Sequence, residues 1–128
     1  MQISVDKEKA KKEFKARIYA YIMRLIKFLN MLPRDPVLRE IASQLMRSGT
    51  SIGANYFEAQ GASSRKDYQN YFSISLKSAN ESKFWLNILH DSGLVPIHIT
   101  DESRWLMQET GELANIFVSS ILTMKGVR

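Results

Sequence analysis

Arg47, Ser51, Asn55 and Glu58 recur every three or four residues within the stretch RSGTSIGANYFEA (47–59), and Glu81 follows in a second apolar segment. On a helix that spacing gathers a guanidinium, a hydroxyl, an amide and a carboxylate along one flank. Two chemistries fit the set. Charges on largely apolar flanks need partners, so Arg47 joined to Glu58 or Glu81, with Asn55 setting register, makes a buried or interfacial structural network. Glu58 with Glu81 is alternatively an acid/base pair, but no nucleophile, metal or cofactor motif accompanies it. The remaining candidates carry less. His90 and His98 have no Asp or Glu at metal-ligand spacing on a shared helix face. Serines 48, 51, 73, 75, 78 and 82 sit in no G-x-S-x-G elbow, and GTSIGAN lacks the lysine of a phosphate-binding loop. The expectation is a protein with no catalytic, cofactor-binding or metal residues, in which Arg47, Ser51, Asn55, Glu58 and Glu81 hold structure together.

A second set is purely electrostatic. Residues 1–30 hold eight bases against three acids, so the whole net charge of +5 falls on the first segment. Lys7, Lys9, Lys11, Lys12, Lys15 and Arg17 form a candidate surface for RNA or DNA backbone, or for an acidic partner. A solvated helix face, laced by Glu8–Lys12 and Glu13–Arg17 at i,i+4, is the alternative reading.

The elements that would carry these residues are helical. Three stops divide the chain: LPRDP (32–36), QGASSRKD (60–67) and SGLVPIHITDE (92–102). The two prolines of the first disfavour helix before them. Ser63 and Ser64 are candidate N-caps, with Asp67 completing a capping-box pattern. Gly93 is a candidate C-cap, Pro96 a breaker and Thr100 the next N-cap. Between the stops, seams such as Phe14, Ile18, Tyr21, Leu25, Phe28 and Leu32 step by three and four. The spacing predicts helices over about 6–31, 37–60, 64–91 and 101–124, in one all-α, antiparallel up-down-up-down four-helix bundle over residues 1–128. The middle seams are thinned by Ser48, Ser75, Ala79 and Ser82, and Gly49 and Gly53 extend that thin surface so that helix axes can approach closely. The absence of cysteine excludes disulfides and thiolate metal sites. Without a signal-peptide pattern or an apolar run long enough to span a bilayer, the expectation is a cytoplasmic protein with no membrane partner.

Apolar residues also mark a second face. Tyr19, Ile22, Met23 and Ile26 form a stripe on the first helix away from its seam, Ile74, Trp85 and Ile88 flank the third, and Trp105 and Ile116 the fourth. A lone bundle needs one buried face per helix, so Tyr19, Ile22, Met23, Ile26, Trp85 and Trp105 are the candidate interface of a homo-oligomer.

The stretch from Arg47 to Ala59 resembles the hallmark of the four-helix-bundle proteins of the bacterial 23S ribosomal RNA intervening-sequence group, roughly Arg-x-x-x-Ser-(Ile or Val)-x-x-Asn-x-x-Glu-(Ala or Gly). Arg47, Ser51, Ile52, Asn55, Glu58 and Ala59 fill it, and Ser64, Tyr68, Phe72, Ser78 and Glu81 match its Ser-rich turn and aromatic-rich helix. The resemblance spans about 14–124. It departs at SGLVPIHI, where the family has an LGY-like stretch, and at Gly49 and Gly53, where small residues such as Ala are usual. It implies an antiparallel four-helix bundle assembling into a homopentamer, without enzyme activity. The accessory protein of diversity-generating retroelements is similar in fold and binds nucleic acid through a basic surface, which suggests the same for this chain by analogy of fold. The leading expectation is therefore a nucleic-acid-binding scaffold. The alternative is a structural or adaptor assembly with a protein partner.

Overall fold

The stops read from the sequence become helix boundaries in the computed structural model, which describes residues 2–127. The chain is all-α: α1 runs Gln2–Asn30, α2 Pro36–Gln60, α3 Arg65–Ser92 and α4 Thr100–Met124, with a short 3-10 turn at Ile97–Ile99. Local chemistry explains most of the ends. Asp35 caps α2 by accepting from the Leu38 amide at 3.0 Å, and Pro36 opens the helix where its missing N–H is no loss. Ser64 caps α3 through the Asp67 amide, while the Asp67 carboxylate reaches back to the Ser63 amide at 3.2 Å. Gly93 ends α3 at φ 72°, a left-handed conformation that glycine adopts without a Cβ penalty. The α4 start differs from expectation. Thr100 is already helical, the cap position falls on Ile99 and no side chain caps it, because the preceding 3-10 turn feeds directly into α4. The helix over the basic segment also begins earlier than its apolar spacing indicates, at Gln2.

Each helix packs on its neighbour in sequence, and α1 closes against α4. The predicted seams meet in one core of Ile18, Tyr21, Leu25 and Phe28 from α1 with Leu45, Ile52, Leu86, Leu89, Leu106, Leu113 and Phe117. Tyr56 is the buried aromatic residue of α2. Its ring packs edge-on against Phe14 at 5.1 Å and joins Phe72 and Phe117 in an aromatic cluster at one end of the core.

The small residues divide by direction. Ser48, Ser75, Ala79 and Ser82 face the α2–α3 contact, where Ser48 Oγ and Ser82 Oγ lie 2.8 Å apart and Ser75 Oγ donates to the Ile52 carbonyl at 2.9 Å. Gly49 and Gly53 instead face α1. A Cβ on Gly49 would stand 2.2 Å from Leu25 Cδ2, and one on Gly53 2.6 Å from Ile22 Cδ1 and 3.2 Å from Ile18 Cγ2. Glycine thus makes room for α1 side chains, and serine lets α2 and α3 approach closely enough for Ser75 to reach the α2 backbone.

Candidate functional site

The first three turns of α1 are basic and open. Every residue from Ser4 to Glu13 is exposed, and the helix meets the core only from Phe14 onward. Lys7, Lys11 and Lys15 are spaced i, i+4, i+8 and so share one face, with Lys12 beside it. Lys15 Nζ lies 5.1 Å from the centroid of the Phe57 ring, a cation–π contact that anchors this lysine against α2. Lys9 sits to another side, 4.0 Å from Glu13, in an exposed pair that contributes little.

Arg17 departs from the set to which its sequence assigns it. Its guanidinium forks onto Glu109, Nε to Oε2 at 2.8 Å and Nη2 to Oε1 at 2.7 Å, and Nη2 also reaches Glu112 at 2.8 Å. The hydrogen bond to Glu109, opposed by desolvation and reinforced by Glu112, holds its pKa above the ordinary arginine value. Glu112 is held below the usual carboxylate range, first by the Gln108 amide and then by Arg17. One turn pair further, Arg24 forks onto Glu102 at 2.8 and 3.0 Å, with its guanidinium 3.4 Å from the centroid of the Trp105 ring. Arg17 is therefore an α1–α4 clamp, and the open cations of α1 are lysines.

The sequence carried a signal for this clamp that residue types alone do not display. Arg17 and Arg24 are seven apart, as are Glu102 and Glu109. Two such ladders meet rung for rung when the helices run in opposite senses. Replacing Arg17 by Met leaves Glu109, whose side chain is 11% exposed, without its partner. The expected cost is about 2 kcal/mol, below the ~3–5 kcal/mol of fully buried pairs because solvent reaches part of the arginine. Urea unfolding would measure it, and Arg17→Met with Glu109→Gln should recover most of the loss.

The polar set around the hallmark stretch forms a hydrogen-bonded ladder along α2 and α3. Ser51 Oγ accepts from Asn55 Nδ2 at 3.0 Å and from Ser78 Oγ at 2.9 Å, and Asn55 also donates to the Ser51 carbonyl at 2.9 Å. Arg47 reaches Glu81 at 2.5 Å and Gln44 at 3.1 Å, and Trp85 Nε1 donates to the same Glu81 at 3.2 Å. The Arg47–Glu81 pair is exposed on both sides, not buried, so it orders the helix pair more than it stabilises it. Glu58 stands outside the ladder. It is exposed, and it lies eleven residues beyond Arg47, about 16 Å along the helix axis. Glu58 and Glu81 are not brought together as an acid/base pair.

The six residues of the expected interface divide as well. Tyr19 and Met23 are exposed, at 58% and 38%. Ile22 and Ile26 are half-buried, with Ile22 packed toward Gly53. Trp105 is covered by Arg24, and Trp85 is tied to Glu81. On α3, Ile74, Phe84 and Ile88 are the exposed apolar residues beside Trp85. Phe84 had no place in the sequence reading, although it lies four residues before Ile88 and so shares that residue's side of the helix. Among the described residues no group of three His, Asp or Glu side chains is arranged to hold a metal ion, and no helix is long and apolar enough to cross a membrane.

Comparison with known proteins places this geometry. The family model described as 23S rRNA-intervening sequence protein matches residues 11–118. Among solved structures, the chain is similar to a Bacteroides thetaiotaomicron protein described as having unknown function and belonging to the S23 ribosomal protein family. That similarity has a TM-score of 0.75 at 30% identity, covering 84% of this chain and 96% of the other. No curated protein matches the chain significantly.

Proposed function

As the chain belongs to the 23S rRNA-intervening sequence protein family, we propose that it acts as a non-catalytic, homo-oligomeric scaffold that binds the phosphate backbone of RNA or DNA. In this reading the helices form an antiparallel up-down-up-down bundle. The registers Gly49 to Leu25, Ser48 to Ser82 and Arg17 to Glu109 support it. Five copies form a ring in the cytoplasm. The observation that carries the reading is the open, lysine-rich start of α1, where Lys7, Lys11, Lys12 and Lys15 are exposed while the arginines further along are neutralised by α4. Exposed lysines are the ones placed to release counterions from a phosphate backbone. Repetition around a ring would multiply weak contacts through avidity.

Fluorescent single-stranded RNA and a DNA duplex, titrated at several salt concentrations with the assembly mass read by light scattering, test the proposal. With three phosphate contacts per chain on a single strand, Kd should rise roughly twentyfold between 50 and 200 mM salt. Lys7→Ala with Lys11→Ala should weaken binding and flatten the slope. Affinity indifferent to salt would overturn the mechanism.

A second reading, an adaptor assembly that binds a protein partner, is favoured by the exposed Ile74, Phe84 and Ile88 beside Trp85 on α3. Such a contact would persist in salt and fail on Phe84→Ser.

A further inference from the structure

At the end of the core where α1 leaves the other helices, a groove of about 430 Å³ opens between α1, α2, α3 and α4. Its floor is aromatic. Phe14, Tyr56, Tyr68 and Phe72 line it, with Tyr68 stacked on Phe72 at 4.7 Å and Tyr56 edge-on to Phe14 at 5.1 Å. Its polar fringe consists of Lys11 and the hydroxyls of Ser119, Ser120 and Thr123 at the end of α4. No carboxylate lines it.

Tyr56 is the informative residue. It is only 3% exposed, and its ring is enclosed by the aromatic cluster. Among the described residues its hydroxyl has no hydrogen-bond partner, yet Ser103 Oγ is the buried side-chain polar atom left both occluded and unpartnered. The Tyr56 hydroxyl is therefore not fully occluded, and Tyr56 is one of the residues that line the groove. Burial, and then the neighbouring Tyr68, push its pKa above the ordinary tyrosine value, so the phenol stays protonated and able to donate through the physiological range. The α4 carbonyl end beside the groove is already engaged, since Arg65 Nη2 donates to the Met124 carbonyl at 3.1 Å. An apolar body is satisfied by the floor. An acceptor with negative charge is satisfied by the phenol and Lys11, with no carboxylate to repel it.

We propose that this groove binds a small arylalkyl carboxylate, its ring against Phe14 and Phe72 and its carboxylate between Tyr56 Oη and Lys11 Nζ. The groove shares Lys11 with the lysines proposed to meet a phosphate backbone, but Phe14, Tyr56 and Phe72 lie outside that set, and carboxylate binding does not require nucleic acid.

Isothermal titration of the full chain with 3-phenylpropanoate and with its uncharged amide tests the assignment. The carboxylate should bind, and the amide should bind about tenfold more weakly. Tyr56→Phe keeps the ring packing and should weaken the carboxylate about tenfold. Lys11→Ala changes an exposed residue and should erase the preference for carboxylate over amide. No binding of the carboxylate, or binding that neither variant changes, overturns the proposal. Absence of binding together with protection of Tyr68 from nitration in the free protein would assign the groove to a second copy of the chain instead.

Discussion

Leu25→Ala is expected to lower the free energy of unfolding by about 3 kcal/mol, and Gly49→Ala is expected to change sign in its presence. Leu25 is fully buried, and its Cδ2 occupies the space that a Cβ on Gly49 would need, at 2.2 Å. In the unaltered protein, alanine at 49 gains about 1 kcal/mol in helix propensity but must displace a side chain that has nowhere to go, at about 1–3 kcal/mol, for a net loss of around 1 kcal/mol. With Leu25 truncated, the obstruction is gone and the new methyl enters the cavity, so the same substitution should stabilise by about 1 kcal/mol. Urea unfolding of the four proteins at one fixed protomer concentration gives the cycle. Additive effects would mean that Gly49 is not where α1 seats its leucine. Gly53, tight against Ile22 and Ile18, is the same device one turn on.

The second large effect is on alkaline stability. Tyr21 is fully buried and lies 2.6 Å from Thr110 Oγ1, whose own proton goes to the Leu106 carbonyl at 2.6 Å, so the tyrosine is the donor of that pair. Burial, with a smaller contribution from the charge of Glu109, pushes its pKa up to about 12 from the ordinary 10.0. The folded chain therefore holds a proton that the unfolded chain releases. Stability from this group is complete below pH 10 and is lost as pH rises through 12, by about 2 kcal/mol at pH 12 itself. Tyr21→Phe removes this dependence. At neutral pH it should cost about 1 kcal/mol for the lost hydrogen bond, and near pH 12 the variant should be the more stable protein by about 1 kcal/mol. Unfolding curves of both proteins across that range would cross, since lysines and the other tyrosines titrate alike in each. Parallel curves would show that Tyr21 is not sealed.

Much of the architecture was legible before any coordinates. The seam of α1 from Ile18 to Phe28 is buried as its three-four spacing requires, and Gly93 and Ser64 sit at the helix ends that their backbone and side-chain chemistry favours. Those signals are local. They depend on 3.6 residues per turn and on the needs of unpaired amides and carbonyls, and a single segment carries them whole. The concentration of positive charge in the first thirty residues and the hallmark from Arg47 to Ala59 belong to the same class.

The functional surfaces were less legible, because they depend on how far one helix slides and rotates against another. Arg17 looks like its lysine neighbours in sequence, and Glu109, ninety-two residues away, makes it a clamp. Trp105 reads in sequence as a bare apolar residue, and the fold lays the Arg24 guanidinium over its ring. Glu58 shares a flank with Arg47, but three helical turns separate it from Glu81. The groove at the core's end draws side chains from all four helices, so no segment announces it. The sequence by itself determined four amphipathic helices, most of their ends, the basic first segment and the family. Only the tertiary structure decided which cations are tied to carboxylates, which way the glycines open and where a buried phenol borders a groove. Periodicity settles which face of a helix is buried, whereas axial register is settled by side chains that meet across the core.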